Sequence, residues 1–203
     1  MAAPGWPARL AHGAVEVRPL RARDAGAWAE VRTRTEAWLR PWEGRAPSQP
    51  RLGWRDRHTP AVFATMLRQQ RREARAGRML PFAVVVGDRF AGQLTVSSVV
   101  RGAFDAAAVG YWVDERVAGR GVLPTALALV ADHCFGPVGL HRLEANVRPE
   151  NTASRRVVEK LGFREEGLHR RYLFIDEDWR DHVAYALLRE DLPAGVLATL
   201  LSR

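Results

Sequence analysis

Two glycines stand two residues apart in the segment DERVAGRGVLPTALALVADH, which runs from residue 114 to 133. The apolar run AVGYWV ends directly before this segment, and a helix-like pattern follows the glycines. A turn that joins a strand to a helix presents unpaired backbone N–H groups at the positive end of the helix dipole, and this geometry binds phosphate groups. Gly119 and Gly121 permit positive φ angles, while Arg116 and Arg120 add positive charge. The segment therefore predicts an anion-binding turn.

The same residues argue against two common nucleotide sites. The Walker spacing with its Lys-Ser/Thr pair is absent, and the third residue after Gly121 is Pro124 rather than glycine. The turn therefore lacks both the P-loop pattern and the complete G-x-G-x-x-G pattern of dinucleotide-binding proteins. An ATP or NAD site is not predicted.

A second pair of polar residues lies one strand and one helix further along the chain. Asn151 and Ser154 are three residues apart at the start of the next predicted helix. An asparagine at this place is typical of a helix N-cap, which satisfies a free backbone N–H group. The residues alone leave this capping role and a functional role equally open.

Cys134 is the only cysteine of the chain, which excludes an internal disulfide and a cysteine metal cage. No metal site is predicted, and the cysteine usage is typical of a reducing cytoplasm. The neighbouring His133 suggests a reactive pair, but adjacent side chains on a helix point about 100° apart. A buried, unreactive cysteine is the favoured interpretation.

Length and composition predict a single soluble domain. The 203 residues are 47% hydrophobic and 27% charged, no apolar run reaches the length of a membrane span, and the first residues lack a signal-peptide pattern. The net charge of +8 suggests an acidic partner, such as nucleic acid, a ribosomal surface or a phosphate-rich cofactor. Acidic residues are interleaved with the arginines and no DNA-binding motif is present, so specific DNA binding is not expected.

The hydrophobic pattern alternates between the periods of strands and helices along the chain. Strands are predicted at residues 15–20, 82–86, 90–100, 106–114 and 140–147, and in the runs FREEG and HVAYALLRE. Helices are predicted from Asp24 to Pro41, from Thr59-Pro60, from the glycine turn, within 149–163, and after Pro193. The expected fold class is α/β (α+β), with a mixed sheet of about seven strands flanked by helices.

The combination of these features resembles the GNAT acetyltransferase superfamily. An R-x-x-G-x-G turn follows a strand and opens a helix, and a further strand precedes an N-x-x-S helix that ends in L-G-F. The resemblance implies a single GNAT domain at 14–191, with a flexible lead-in at 1–13 and a tail helix at 192–203. It also implies a mostly antiparallel twisted sheet in which two central strands splay apart.

In that family the turn holds the pyrophosphate of acetyl-CoA, and the splayed strand pairs with the pantetheine arm through backbone groups. The cofactor-binding residues that this implies are Tyr111, Trp112, Val113, Arg116, Val117, Gly119, Arg120, Gly121, Val122, Asn151 and Ser154.

Three segments narrow the resemblance to the RimJ branch, which contains ribosomal-protein-alanine N-acetyltransferases. They are LRPWE at 39–43, VVRGAFDAAAVGY at 99–111 and RRYLFIDEDWRDHVAYAL at 170–187. The branch implies a protein or peptide N-terminus as acceptor, with alanine or serine first, in the cytoplasm. It is compatible with ribosome association and with a monomer or a homodimer.

Acetyl transfer to an amine needs a neutral amine, a donor for the oxyanion and a proton for the leaving thiolate. The resemblance implies that the N–H of Val113 is the oxyanion donor. Relatives that carry a glutamate base and a tyrosine acid have them where this chain has Asn146 and Val158, so both usual groups are missing. The resemblance to RimL-like relatives implies instead that Ser154 lies near the sulfur as the proton donor.

Glu43 is the candidate for orienting or deprotonating the acceptor, and an exposed loop acid with no such role is an equal alternative. Glu144 shares a strand face with Asn146, where it serves either the site or a salt bridge. A site without a strong base favours an α-amine, because its pKa of about 7.7–8.0 lies far below the value of about 10.4 for lysine.

Two alternatives to a peptide acceptor remain. A small-molecule amine such as a polyamine calls for an acid-lined pocket, whereas the acceptor-side segments 39–54 and 170–181 mix several arginines with fewer acids. The other alternative is a non-catalytic acyl-CoA sensor or an RNA-associated protein. Intact motif residues argue against an inactive site.

Overall fold

The computed structural model describes residues 3–48 and 51–202. Eight strands form one sheet, in the order β1-β2-β3-β4-β5-β6-β8-β7. The strands β1 to β8 are Leu10–His12, Val15–Pro19, Leu80–Val86, Arg89–Val100, Ala106–Val113, Arg142–Val147, Arg164–Ile175 and Asp178–Leu188. The helices α1 to α7 are Ala25–Arg34, Glu36–Leu39, Trp54–Arg57, Pro60–Arg75, Val122–Phe135, Thr152–Lys160 and Val196–Leu201. The predicted class, a mixed and mostly antiparallel α/β sheet, is confirmed, with eight strands rather than about seven.

The sheet separates two apolar layers. The larger core lies on the face covered by α5, and its fully buried members include Phe82, Leu94, Leu127 and Leu143. The smaller core lies on the opposite face, where α1 and α4 pack with Trp28, Phe63 and Leu67 among its buried side chains. Because side chains alternate along a strand, each residue of the sheet points into one of these two layers.

The two central strands diverge. β5 pairs with β6 in parallel only at Ala106–Ala108, which lie opposite Arg142–Glu144. The remaining residues of β5 pair with β4 alone, up to Val113 opposite Gly92. Those of β6 pair with β8 alone, up to Val147 opposite Val183. The structure thus contains the predicted splay, a wedge between β5 and β6 that we call the opening.

Local signals explain why helices start where they do. The hydroxyl of Thr59 accepts a hydrogen bond of 3.3 Å from the N–H of Val62, and Pro60 occupies the first position of α4. The predicted continuous helix up to Pro41 is wrong, because it is interrupted at Thr35. The Thr35 hydroxyl donates to the carbonyl of Val31 at 2.7 Å and competes with the helical backbone.

Part of the N-terminal stretch 1–13 packs against the rest of the chain. Leu10–His12 within it form β1, which pairs with β2. Trp6 meets Phe82 edge to face with ring centroids 5.1 Å apart, and the His133 ring bonds the carbonyl of Gly5 at 2.7 Å. This stretch therefore covers one edge of the large core, against which Trp6, Ala8 and Leu10 pack.

Two further properties follow from the described part of the chain. None of its helices is long and apolar enough to cross a membrane. No group of three or more His, Cys, Asp or Glu side chains lies close enough there to hold a metal ion. Cys134 is fully buried, and burial raises the pKa of its thiol to about 12, as expected for an unreactive core residue.

Candidate active site

The glycine turn has the geometry of an anion site. Gly119 and Gly121 take φ angles of +73° and +76°, and a Cβ atom built on either glycine would meet nothing within 4 Å. The N–H groups of residues 119–121 have no hydrogen-bond partner in the described chain, and those of the first helical residues point the same way. Pro124 is the third residue of α5. A backbone N–H at this position would have no acceptor within the helix, so proline removes no hydrogen bond here.

Positive charge flanks this turn. No ion pair within residues 3–48 and 51–202 engages the guanidinium groups of Arg116 or Arg120. Asp114 precedes them, and Arg34 of α1 donates to its two carboxylate oxygens at 3.0 and 2.7 Å. Burial raises the pKa of Asp114, but the hydrogen bonds and charge of Arg34 outweigh burial and lower it below its usual value. The carboxylate thereby anchors the turn without presenting free negative charge to an anion.

Backbone groups of β5 face the opening. The N–H of Asp114 donates to Ala91 of β4 at 2.7 Å. Because successive N–H groups of a strand point to opposite edges, those of Val113 and Tyr111 point away from β4 and into the opening. Trp112 differs, since its backbone pairs with β4 and its ring packs beneath the Arg32 guanidinium, 4.6 Å away.

A pair of hydroxyl groups lies beside the opening. The Tyr111 hydroxyl of β5 and the Ser154 hydroxyl of α6 are 2.9 Å apart. Burial raises the pKa of Tyr111 to about 12, so its phenol stays protonated. Either hydroxyl can donate in this pair, and when Tyr111 donates, Ser154 has its own proton free to give to a leaving group.

Asn151 has the local role that its position predicts. Its side-chain oxygen accepts a hydrogen bond of 3.0 Å from the N–H of Ser154, which caps α6. This cap fixes the first turn of the helix and with it the Ser154 hydroxyl. A contact between Asn151 and a cofactor stays a prediction.

Glu43 is enclosed by partners. Its carboxylate lies 2.5 Å from Arg32 and 3.1 Å from Nε2 of His58, and its side chain is 20% exposed. Burial raises its pKa, but the hydrogen bond to His58 and the charge of Arg32 lower it below the ordinary value. Three tryptophan rings surround Arg32, namely Trp28, Trp54 and Trp112. Glu43 is therefore suited to hold this buried cluster, and poorly suited to take a proton.

Asn146 belongs to a cluster on the opposite face from Ser154. Its amide nitrogen donates to the Tyr172 hydroxyl of β7 at 3.4 Å. The Tyr172 ring contacts His169 at 4.8 Å and His182 at 5.5 Å between centroids. The sequence predicted 170–181 as part of the acceptor side but did not single out Tyr172, His169 or His182. The bulge in β7 that brings them together has no signature in the sequence.

Glu144 forms a salt bridge with Arg142, whose Nε donates to it at 2.7 Å. The salt-bridge alternative for this residue is therefore the one the structure supports.

The residues around the opening fit a coenzyme A thioester. The turn supplies unpaired N–H groups and arginines for a pyrophosphate, and the strand edge beyond it supplies backbone groups for an amide-containing arm. Val117 and Val122 flank the glycines, with Val122 buried and Val117 packed against the large core. The hydroxyl pair lies where the sheet begins to separate.

Comparison with known proteins gives consistent results. A family model described as acetyltransferase (GNAT) domain matches residues 15–164. The structure of RimJ from Mycobacterium smegmatis in complex with CoA-disulfide aligns with a TM-score of 0.94 and 43% identity, over 100% of this chain and 97% of that chain. The ribosomal protein uS5-alanine N-acetyltransferase of Escherichia coli is 31% identical over 92% of this chain and 94% of that protein. The probable N-acetyltransferase YjcK of Bacillus subtilis is 40% identical over 51% of this chain and 58% of that protein.

The resemblance read from the sequence is thus confirmed at the level of family and branch. The matched residues include the glycine turn, the splayed strands and the hydroxyl pair. The chain belongs to the GNAT acetyltransferases, enzymes that take an acetyl group from acetyl-CoA, and within them to the RimJ-type N-acetyltransferases.

Proposed function

We propose that this chain transfers an acetyl group from acetyl-CoA to the N-terminal α-amine of a ribosomal protein that begins with alanine or serine. The observation that carries the proposal is the opening between β5 and β6, which has the glycine turn at one end and the Tyr111–Ser154 hydroxyl pair beside it. The E. coli relative that matches nearly the whole chain is named for alanine acetylation of ribosomal protein uS5.

Each group at the opening has a task in this reaction. Acetyl-CoA supplies an acyl carbon that is joined to a good leaving group. The N–H of Val113 donates to the carbonyl oxygen, where negative charge develops. The Ser154 hydroxyl, held by Tyr111, gives a proton to the departing sulfur. Residues 116–122 and the capped start of α6 hold the cofactor.

The acceptor side supports a peptide rather than a polyamine. A cavity of about 160 Å³ lies between the 40–57 loop and the β7–β8 turn. Four arginines and four acids line it, namely Arg40, Arg45, Arg51, Arg57, Glu36, Glu43, Asp176 and Glu177. Arg45 and Arg51 pair with Glu177, so the cavity has no excess of free negative charge to attract a polycation.

The proposal extends to the cellular location of the protein and to its partners. A cytoplasmic location follows from a ribosomal acceptor and agrees with the single buried cysteine. The net charge of +8 supports contact with an acidic ribosomal surface during the reaction. Either a monomer or a homodimer is compatible with a site built from one chain.

Release of free thiol from acetyl-CoA tests this function directly. The acceptors are peptides that begin with alanine, serine or leucine, the alanine peptide with a blocked N-terminus, and spermidine. We expect thiol release with the alanine and serine peptides, little with leucine and none with the blocked peptide. Preference for spermidine would replace the peptide acceptor by a small amine, and no release with any acceptor would identify a binding protein.

A further inference from the structure

The acceptor face of the sheet holds a histidine that no step above uses. Cross-strand partners point to the same face, and Asn146 lies opposite Ala184 in the β6–β8 pair. His182 is two residues from Ala184 on β8 and therefore shares the face of Asn146. Across the other edge of β8, His182 lies opposite His169 of β7.

A bulge in β7 completes this cluster. His169 pairs with His182 and Leu173 pairs with Arg180, so residues 170–172 face the single residue 181. The carboxylate of Asp181 accepts the N–H of Arg171 at 2.7 Å, and Arg171 takes a φ of +49°. Bulges re-aim side chains, and this one turns the Tyr172 ring onto His182 and its hydroxyl onto the Asn146 amide.

The hydrogen bond of the His182 ring determines where a proton can bind. Nδ1 lies 3.0 Å from the carbonyl of Arg180, which accepts only, so Nδ1 carries the hydrogen and Nε2 has the lone pair. Nε2 has no hydrogen-bond partner in the described chain, and it is not among the fully buried atoms that lack one. The His182 side chain is buried, with 3% of the residue exposed, so Nε2 keeps only a narrow contact with solvent.

We propose that His182 accepts the proton of the acceptor amine, directly or through one water molecule, with Tyr172 and Asn146 orienting the amine. This inference rests on the proposed acetyl transfer. One N–H bond of the α-ammonium group breaks and one forms at Nε2, which frees the amine lone pair for the acetyl carbon. As the N–C bond forms and the C–S bond breaks, Ser154 gives its proton to the sulfur, and the second proton of the amine restores the Ser154 hydroxyl, directly or through water. The proton held by His182 then leaves to solvent. One proton is released to solvent in total.

Burial and the neighbouring charges keep His182 neutral at working pH. Burial lowers its pKa below the usual value, the hydrogen bond to Arg180 opposes this, and the positive charge of Arg148 lowers it further. Glu150 raises the pKa and His169 lowers it, each by less. A weak base of this kind takes a proton from an α-ammonium group of pKa about 7.7–8.0 far more readily than from lysine at about 10.4.

The decisive variant is His182→Gln, assayed as kcat/KM from pH 5.5 to 9 with acetyl-CoA and a lysine-free peptide that begins with alanine. In the wild type we expect the acidic limb at the pKa of His182, below about 6.5. In the variant the limb moves to the pKa of the amine, about 7.7–8.0. The loss is about 100-fold at pH 6.5. By pH 9 the loss of kcat/KM falls to about 5-fold, because the neutral fraction of the α-amine rises about 20-fold, from about 5% to about 94%.

The matched control is His169→Gln, which removes the other imidazole from the same cluster and should keep the wild-type pH profile. A loss in His182→Gln that is equal at every pH, or no loss, overturns the proposal while the wild-type activity still supports acetyl transfer. Inactivity of the wild type with every acceptor instead removes the proposed function.

A readout on the wild-type protein does not depend on activity or on the folding of a variant. Nitrogen NMR of the histidine rings should show His182 as the tautomer protonated at Nδ1, with a free Nε2 and a titration below about 6.5. An Nε2-protonated tautomer, or an imidazolium at neutral pH, contradicts the proposed role.

Discussion

At the scale of single residues, the site depends on hydroxyl groups that hold each other in place. Tyr111 and Ser154 are 43 positions apart in the chain and come within 2.9 Å. Burial keeps the phenol protonated, and the Asn151 cap fixes the backbone of Ser154. In the proposed mechanism this pair is the proton donor, in place of the tyrosine that some relatives carry where this chain has Val158.

Replacing Ser154 by alanine tests this pair. We expect Ser154→Ala to lower kcat by about 10–100-fold, because the leaving sulfur loses its donor while the cofactor contacts of the turn remain. Thiol release and the Kd for CoA by calorimetry measure the two effects separately. Ser202→Ala, at an exposed serine of the C-terminal helix end, is the control. An unchanged kcat in Ser154→Ala would remove this hydroxyl from the mechanism.

Removing the charge of Arg116 tests the turn. Arg116→Ala should raise the Kd for CoA by about 10–100-fold, since a charge-assisted hydrogen bond contributes about 1.5–3 kcal/mol. The kcat at saturating acetyl-CoA should change by less than about threefold. The difference from wild type should shrink as salt is raised. Arg89→Ala, an exposed arginine at the start of β4, provides the comparison, and an equal effect there would show a general charge effect instead.

At the scale of elements, the loop at 40–57 on the acceptor side is held by an ionic cluster of Glu43, Arg32 and neighbouring rings. His58 contacts two groups that only accept hydrogen bonds, the Trp54 carbonyl at 2.7 Å and the Glu43 carboxylate at 3.1 Å. The cluster ties Arg32 of α1 and the chain at Glu43 to the end of α3, and it places the loop beside β7, where Gly44 bridges to Ile175. Its role is to shape the acceptor side.

Glu43→Gln separates this structural role from a role as base. We expect the free energy of unfolding in urea to fall by about 2–3 kcal/mol, because Arg32 loses its counter-charge. The pKa of Glu43 is lowered on folding, so its contribution is present above pH 4.5 and is lost as pH falls through the folded pKa. The difference in the free energy of unfolding between variant and wild type should therefore disappear at acidic pH.

The control for this variant is Glu36→Gln, a more exposed carboxylate of α2 that pairs with Arg40 at 3.7 Å, for which we expect almost no change in stability. The position of the acidic limb of kcat/KM should be the same in Glu43→Gln as in wild type. A limb that moves to the pKa of the amine would make Glu43 the base and displace His182.

At the scale of the whole molecule, the proposed mechanism divides the reaction between the two faces of the sheet. Ser154 and Tyr111 lie on the face of α5 and α6, while Asn146 and His182 lie on the face of α1 and α4. The opening joins these faces at the point where β5 and β6 part. A thioester in the opening is reached by a proton donor from one side and by an amine from the other.

This arrangement predicts a preference for α-amines over lysine. In a peptide that begins with alanine and contains one lysine, we expect acetylation almost entirely at the N-terminus. At pH 7.5 about one third of α-amines are neutral, against about 0.1% of lysines. Mass spectrometry of the fragmented product locates the acetyl group. Mainly lysine modification would refute both the acceptor class and a weak base.

The sequence by itself determined the features that neighbouring residues encode. Glycines with positive φ opened α5, Thr59 and Asn151 capped their helices, and alternating apolar residues formed the central strands. These features depend on backbone propensity within a few residues, which is why the motif order pointed to the family. The break at Thr35 was missed because its hydroxyl competes with a helix that the apolar pattern favours.

Only the tertiary structure decided the contacts between distant segments. Arg34 reaches Asp114 across 80 positions, and Asn146 reaches Tyr172 across 26 through a bulge. A one-residue change of register would send these side chains to opposite faces, so no local pattern contains them. For the same reason Glu43, which the sequence offered either as a group for the acceptor or as an exposed loop acid, lies in a largely enclosed ion pair with Arg32 in the fold. His182 became a candidate base only when β7 and β8 paired.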